Sequence, residues 1–174
     1  MTRPPTDEEF AELVHACWAN LYRTAYLMLG DRADAEDLVQ TALAKTYANW
    51  RRVQNVDAAP GYARTTLVNT AASWFRKKGW RNERPTEELP EPAHGPGHET
   101  DPSDRRSVID ALATLPPRQR AVVVLRYYED LSVAQVAHAL GITEGTVKSQ
   151  TSEALSKLRV LLGDSVIPAG AHHD

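Results

Sequence analysis

A segment rich in proline and carboxylates divides this chain into two parts and constrains the fold more than any other feature. Residues 85–104 hold five prolines, two glycines and six carboxylates, with no lysine or arginine. Proline removes backbone donors and interrupts helices, and like charges repel one another, so this stretch is not expected to pack into a core. We predict a flexible acidic linker here. A second interpretation stays open, in which the strip lies in a basic channel of a partner.

Both flanks of the linker have helical periodicity. In the first flank Leu13, Cys17 and Leu21 share a helical face, and Gly30 ends the run. No alternating strand pattern of useful length occurs, and with 7% aromatic residues the core is expected to be mostly Ala, Val and Leu. The predicted fold class is all-α. Two small helical domains, residues 8–84 and 105–163, are joined by the linker, and residues 164–174 are predicted to be a disordered tail.

Within these domains, separate helices are predicted from the apolar spacing and the helix breakers. Pro60 and Gly61 are expected to break the chain, and the next helix is predicted over residues 62–78. Further helices are predicted over residues 119–128, 132–140 and 143–162.

Composition argues against several classes of protein. The one cysteine, Cys17, cannot form an internal disulfide, so a cytoplasmic location is expected. The polar N-terminus has no signal-peptide core, and no apolar run approaches the ~20 residues that cross a bilayer, so membrane insertion is not expected. The histidines lack supporting ligands at metal-site spacing, and neither a phosphate-binding glycine loop nor a nucleophile elbow is present. We therefore expect no metal, no cofactor and no enzymatic activity.

Residues 131–150 have the pattern of a helix-turn-helix. Ser132 and Gln135 form a capping box, Gly141 stands where the chain must turn sharply, and Thr143 is placed to cap the next helix. The second helix would lie in the major groove of DNA. Its predicted outward positions are Glu144, Thr146, Lys148, Ser149 and Ser152. An ordinary helical hairpin with solvated polar residues is the alternative.

A basic segment with interleaved aromatic residues closes the first domain. Between positions 64 and 84 the cations are Arg64, Arg76, Lys77, Lys78, Arg81 and Arg84, and the aromatic residues are Trp74, Phe75 and Trp80. Cations follow phosphates and aromatic faces stack on unpaired bases, so the mixture suits DNA whose strands are separating. The alternative is a core helix with a solvated basic face, in which Trp74 and Phe75 belong partly to the core.

At this point the chain resembles a known family. The stretch Leu-Pro-Pro-Arg-Gln-Arg-Ala-Val-Val-Val-Leu-Arg-Tyr-Tyr from Leu115, with Gly-Ile-Thr-Glu-Gly-Thr-Val-Lys-Ser from Gly141, resembles domain 4 of the extracytoplasmic-function (ECF) sigma factors. Asp-Ala-Glu-Asp-Leu-Val-Gln from Asp34 and Gly-Tyr-Ala-Arg-Thr-Thr-Leu-Val-Asn from Gly61 resemble their domain 2. The resemblance covers residues 10–84 and 105–163, and within the family the chain resembles the actinobacterial SigE-like subfamily.

The resemblance implies a sigma factor that binds core RNA polymerase and directs it to promoters. It implies docking of Asp34, Asp37 and Gln40 on a coiled coil of the β′ clamp. The same acids could instead only complement the helix dipole, which is the alternative from the residues alone. Thr41 stands where the family often has Glu, which removes one acidic contact.

The resemblance also implies two DNA-reading surfaces. Domain 2 would read and melt the −10 element, with Asn69 and the loop from Lys78 at a flipped base; the predicted residues are Asn69, Trp74, Arg76, Lys77, Lys78, Trp80 and Arg81. Domain 4 would read the −35 element; the predicted residues are Arg126, Thr146, Lys148, Ser149 and Ser152. Gln150 and Glu153 stand where the family commonly has Arg, so Glu153 is expected either to repel phosphate or to accept from a cytosine amino group. Arg118, Arg120 and Arg126 are candidates to replace the missing positive charge; the alternatives are that they are solvated or that they face the polymerase flap.

The implied partners are core RNA polymerase, through its β′ clamp and β flap, and promoter DNA. Many members of the family are held by an anti-sigma factor, and the sequence leaves open whether this chain is. Two rival interpretations use the same motifs. One is a helix-turn-helix regulator that works without polymerase, and the other is a protein-interaction adaptor that binds no DNA.

Overall fold

The computed structural model describes residues 3–78 and 102–163, with side chains for 3–77 and 106–163. Within these ranges the chain forms seven α-helices and no strand: α1 (Asp7–Leu29), α2 (Arg32–Ala48), α3 (Ala59–Lys78), α4 (Pro102–Thr114), α5 (Pro117–Val123), α6 (Val133–Leu140) and α7 (Glu144–Leu162). The predicted all-α fold class is confirmed. The predicted tail and residues 85–101 of the predicted linker lie outside the described residues.

The chain divides into two compact units. Unit 1 comprises Met1–Tyr26 and Asp31–Lys78, and unit 2 comprises Leu27–Gly30 and Gly79–Asp174. Unit 1 therefore contains most of α1 together with α2 and α3, and unit 2 contains α4 to α7. Helix α4 begins at Pro102, three residues before the predicted start of the second domain at position 105. Proline suits a first helical turn, because its fixed φ is helical and its missing N–H has no partner there anyway.

Side-chain caps begin the first two helices. The Thr6 N–H donates to Glu9 Oε2 at 2.8 Å, and the Glu9 N–H donates to Thr6 Oγ1 at 3.3 Å. This is a capping box, and its Thr-x-x-Glu spacing was available in the sequence. Helix α2 begins after Asp31, whose side chain accepts from the Asp34 N–H at 2.9 Å. Gly30 ends α1 with a φ of +72°, as the sequence predicted.

Small residues bring α2 and α3 close together. Alanines at 0 or 1% exposure are buried in both helices: Ala35, Ala42, Ala63, Ala71 and Ala72. Leucine and valine side chains fill the rest of this interface, so the expected core of Ala, Val and Leu is confirmed. The Lys45 Nζ donates to Thr70 Oγ1 at 3.3 Å and adds a polar tie between the two helices.

A buried tryptophan fixes the segment that joins α2 to α3. Trp50 is 1% exposed, and its Nε1 donates to the Thr6 carbonyl oxygen at 2.7 Å. The Phe10 ring lies 5.3 Å from the Trp50 ring, centroid to centroid, in an edge-on arrangement. Cys17 packs against the same cluster, and burial raises the pKa of its thiol.

The expected break at Pro60 and Gly61 was wrong. Helix α3 begins at Ala59, so both residues lie in its first turn. The first four N–H groups of a helix have no intrahelical acceptor, so proline costs nothing at this place. In the sequence, a proline in the first turn of a helix looks the same as a proline in the break before that helix.

Unit 2 packs α4, α5 and α6 around α7. The buried side chains include Leu115, Val122, Leu125, Leu140 and Val147, each at 2% exposure or less. The predicted single helix over residues 119–128 is instead α5 from Pro117 to Val123, followed by a π-helical turn over Val124–Tyr128. The turn ends at Tyr128, and two residues later Asp130 has a φ of +55°. Aspartate tolerates this left-handed conformation better than most residues.

Candidate nucleic-acid and polymerase interfaces

Three sequence-predicted residues lie along one side of α2. Asp37 and Gln40 are exposed and Asp34 is half-buried, whereas Leu38 and Val39 between them are fully buried. The buried residues lock the helix against α3 and thereby aim the polar residues outward. We call Asp34, Asp37 and Gln40 the α2 acidic face. Two carboxylates and an amide at this spacing make a surface suited to arginines of a partner helix.

Helix α3 exposes a second polar surface on the side away from α2. Asn69, Arg76 and Lys77 are exposed, and Tyr62 is 42% exposed. Positions 62, 69 and 76 are seven residues apart, so they lie on one side of a helix with 3.6 residues per turn. We call Tyr62, Asn69, Arg76 and Lys77 the α3 face. Tyr62 was not among the residues singled out from the sequence, although its spacing from Asn69 could have identified it.

The other residues predicted for this surface have different positions. Phe75 is 5% exposed and belongs to the core, while Trp74 is half-buried. Phe75 is therefore a core residue, whereas Trp74 belongs to the core only in part. The side chain of Lys78 and the residues Trp80 and Arg81 lie outside the described residues.

The predicted helix-turn-helix is present in unit 2. The Ser132 Oγ accepts from the Gln135 N–H at 3.1 Å, and the Gln135 Oε1 accepts from the Ser132 N–H at 2.8 Å, which completes the capping box. Gly141 has φ 66° and ψ 37°, the left-handed conformation expected at the turn. Thr143 caps α7 through the Thr146 N–H at 3.1 Å. These local signals were strong enough in the sequence to fix this motif.

Helix α7 exposes a lysine and two serines on one side. Lys148, Ser149 and Ser152 are exposed, whereas Val147 is buried on the opposite side. We call Lys148, Ser149 and Ser152 the α7 face. The Ser149 Oγ donates to the Thr146 carbonyl oxygen at 3.1 Å, so its proton is used and its lone pairs remain to accept.

Thr146 and Arg126 are each held by contacts of their own. Thr146 is half-buried, and its Oγ1 lies 2.9 Å from Thr143 Oγ1 at the helix cap. Arg126 is half-buried, and its NH1 donates to the Leu131 carbonyl oxygen at 2.6 Å, across the π-helical turn. Both residues therefore stabilise the motif, whatever further contact they make with DNA.

Arg120, one of the candidates to supply positive charge toward DNA, is bonded to backbone carbonyl groups of its own unit. Its Nε donates to the Leu112 carbonyl oxygen at 3.1 Å, and its NH2 donates to those of Ala113 and Leu115 at 3.3 and 3.1 Å. Carbonyl groups at the end of a helix lack intrahelical donors, and a guanidinium satisfies several at once. Arg120 is thus the cap of α4.

Glu153 is likewise engaged within unit 2. Its Oε2 accepts from Gln119 Nε2 at 2.9 Å, and Gln119 Oε1 accepts from Lys157 Nζ at 3.1 Å. Gln119 is only 4% exposed. Glu153 is nevertheless exposed to solvent, and the two expectations for it, phosphate repulsion and cytosine contact, stay predictions.

Neither a metal site nor a membrane span occurs among the described residues. They contain no group of three or more His, Cys, Asp or Glu side chains that could hold a metal ion. No helix in this part of the chain has the length and apolar character required to cross a bilayer.

Two family models match this chain, one in each unit. Residues 10–81 match Sigma-70 region 2, and residues 111–160 match Sigma-70, region 4. The first match includes the α2 acidic face and the α3 face, and the second includes the helix-turn-helix.

Known proteins are similar to this chain over most of its length. The RNA polymerase sigma-E factor of Streptomyces coelicolor is 42% identical over 151 residues, which is 87% of this chain and 84% of that protein. The ECF RNA polymerase sigma factor SigL of Mycobacterium tuberculosis is 35% identical over 83% of both chains. The sigma factor RpoE of Bartonella quintana, crystallised in complex with the anti-sigma factor NepR, superposes with a TM-score of 0.60 at 27% identity and covers 89% of this chain and 97% of that one. The chain described here therefore belongs to the ECF family of RNA polymerase sigma factors, and it is an alternative sigma factor that acts with RNA polymerase in transcription initiation.

Proposed function

We propose that the three faces divide the work of initiation: the α2 acidic face binds core polymerase, the α3 face reads the −10 element, and the α7 face reads the −35 element. The observation that carries this proposal is that one chain exposes two DNA-suited helix surfaces and one acidic surface, each backed by a buried side that fixes its direction. The proposed domains are residues 8–84 and 105–163, joined by the linker.

The α2 acidic face is the proposed docking site for the β′ clamp of polymerase. Asp37 is its most direct test because it is exposed at the middle of the face. An Asp37→Arg variant would place a cation against the arginines expected on the partner, and we expect core polymerase binding to fall at least tenfold. Glu12→Arg is the matched control, since Glu12 is an exposed carboxylate on α1. Equal loss in both variants would show that net charge, and not this face, determines binding.

The α3 face is the proposed reader of the −10 element. Asn69 carries an amide that can pair with a base edge, Tyr62 offers a ring for stacking, and Arg76 and Lys77 can neutralise phosphates. A correctly placed amide contributes about 1–3 kcal/mol of discrimination against a wrong base. An Asn69→Ala holoenzyme should therefore lose selectivity at one position of the −10 element. Unchanged selectivity at every position would remove Asn69 from the proposal.

The α7 face is the proposed reader of the −35 element. Lys148 can pair with phosphate or guanine, and the hydroxyls of Ser149 and Ser152 can reach base edges. With a single lysine on this face, we expect a weaker −35 contact than in relatives with several arginines. Binding of promoter fragments that carry only the −35 element measures this directly.

The remaining partners follow from the same proposal. The β flap is the proposed contact of unit 2, and the cytoplasm is the proposed location because RNA polymerase works there. An anti-sigma partner is supported by the related RpoE, which was crystallised with NepR. Sigma factors are not enzymes, and we propose no catalytic role here. A polymerase-independent regulator is disfavoured because region 2 is matched as well as region 4.

A further inference from the structure

We infer that Glu153 is a positioning residue that sets the rotation of α7, through Gln119 of α5 and Lys157, and that it neither reads nor repels DNA. This inference rests on the proposed role of α7 at the −35 element. It concerns a residue that stands among the outward positions of the recognition helix and whose negative charge opposes DNA binding if it is free.

The amide of Gln119 is nearly out of water and has one satisfactory orientation. With 4% of its surface exposed, it needs hydrogen-bond partners for both its oxygen and its nitrogen. Its Nε2 donates to Glu153 Oε2 at 2.9 Å and its Oε1 accepts from Lys157 Nζ at 3.1 Å. Exchanging the two amide atoms would put the NH2 group against an ammonium and the oxygen against a carboxylate. The charges of α7 therefore define the orientation of the amide.

Glu153 and Lys157 are four residues apart on α7, with the acid on the N-terminal side. This is the favoured order for an acid and a base on one helix face. Both groups meet the same buried amide of α5, so α7 is held by two polar contacts on one flank and by Val147, Leu155 and Leu158 on its buried side. Rotation of α7 about its axis would move both charged groups away from the Gln119 amide.

This arrangement has two consequences for DNA. The carboxylate accepts from Gln119, and the Lys157 ammonium donates to the same amide, so the two charges on this flank are opposite in sign and add no net charge. The direction of Ser149 and Ser152 is fixed by the same contacts, since they lie on the same helix within one turn of Glu153. The Gln119–Glu153–Lys157 cluster thus determines which hydroxyls face the promoter.

The test uses full-length chain bound to core polymerase and a promoter library with a randomised −35 element and a constant −10 element. Base preference and the salt dependence of binding are measured for wild type, Glu153→Gln, Glu153→Ala and Lys148→Ala, with Ser156→Ala as an exposed control on α7. Circular dichroism of each free chain checks that helix content and melting are retained.

Glu153→Gln removes the charge but keeps an oxygen that accepts from Gln119. We expect its base preference to be unchanged and its affinity to stay within about twofold of wild type. Glu153→Ala should broaden base preference at the positions read by Ser149 and Ser152 and weaken binding several-fold, with no change in the salt slope. Lys148→Ala should weaken binding and lower the salt slope by about 1.

Three results would overturn the inference. A Glu153→Gln holoenzyme that binds several-fold tighter would show that the carboxylate repels DNA. A Glu153→Gln holoenzyme with altered preference at a single base pair would show that the carboxylate reads DNA. Glu153→Ala with wild-type preference would show that the cluster does not position α7. Failure of the proposed function looks different, because wild-type holoenzyme would then show no preference in the randomised −35 element at all.

Discussion

The α3 face and the α7 face differ in how their polar side chains are held. The α3 face presents long cations and an amide that are exposed to solvent at Asn69, Arg76 and Lys77. On α7, the Ser149 hydroxyl donates to its own helix backbone and Glu153 is bonded to α5. The α3 face suits a partner whose shape changes, as DNA does when its strands separate, because exposed side chains can adjust to the moving strands. The α7 face suits a regular groove, because its Ser149 hydroxyl is already held in place by the helix backbone.

The two surfaces should therefore respond differently to substitution. Charge and adaptable side chains give affinity that depends on salt and tolerates small displacements of the backbone. Fixed hydroxyls give selectivity that depends on helix placement, with little dependence on salt. Substitutions in each unit can break or sharpen this contrast.

The largest effect is expected from the core of unit 1. Trp50→Ala removes a side chain that is 1% exposed and its hydrogen bond to Thr6, so unit 1 should lose about 3–5 kcal/mol of stability. Hydrogen exchange should rise throughout α2 and α3, while α6 and α7 keep their protection. Trp18→Ala is the control, because Trp18 is half-buried and should cost less. A matching rise in exchange across both units would contradict the separate failure of the two surfaces.

The next effect concerns charge on the α3 face. The double variant Arg76→Ala with Lys77→Ala should weaken promoter binding by the holoenzyme and lower the salt slope by about 1 for each phosphate that is no longer neutralised. Arg51→Ala with Arg52→Ala is the charge-matched control, since both arginines are exposed on the turn before α3. If the two double variants change the slope equally, the α3 face has no special role.

A smaller effect is expected at the turn of the helix-turn-helix. Gly141→Val forces a β-branched residue to a φ of 66°, at a cost of about 1–3 kcal/mol. We expect lower thermal stability of unit 2 and a broader −35 preference, with the salt slope unchanged. Gly145→Ala is the control, because a Cβ there meets nothing closer than Thr143 Oγ1 at 3.9 Å. A Gly141→Val chain as stable as Gly145→Ala would contradict the need for a left-handed turn.

The smallest effect is a pH dependence at the start of α1. The hydrogen bond from the Thr6 backbone, assisted by Arg3, lowers the pKa of Glu9 below its ordinary value. A carboxyl whose folded pKa is lowered stabilises the fold above its unfolded pKa, and this contribution disappears as the pH falls through the folded pKa. Denaturant midpoints measured in the acid range should therefore fall less in Glu9→Gln than in wild type. An identical acid dependence in both proteins would show that Glu9 does not contribute.

Sequence signals within a few residues predicted most of the helix caps and turns. The features that were not predicted depend on contacts formed only in the folded chain. The capping box at Ser132, the turn at Gly141 and the cap at Thr143 are each determined within four residues, so the sequence was sufficient for them. The π-helical turn after Val123 has no such local signal. The hydrogen bond from Arg126 to the Leu131 carbonyl oxygen, which spans this turn, can be identified only in the folded structure.

The candidate sites follow the same rule. Exposure of Lys148 follows from helical periodicity and was predicted, whereas Asn69 was identified only through the family resemblance. Arg120 caps a helix by bonding to Leu112, 8 positions away, and Gln119 bonds to Glu153, 34 positions away. Each of these contacts depends on how the helices pack. Periodicity identifies the side of a helix on which a residue lies, but not the group that it meets there.

The most direct test of the account is run-off transcription with purified core polymerase, with and without this chain, on a promoter library in which both elements are randomised. We predict discrete new start sites that share two elements at a constant spacing. Asn69→Ala should change the preference only in the downstream element, and Ser149→Ala with Ser152→Ala should change it only in the upstream element. Start sites that depend on a single element, or variants that alter both elements alike, would contradict the division of work between α3 and α7.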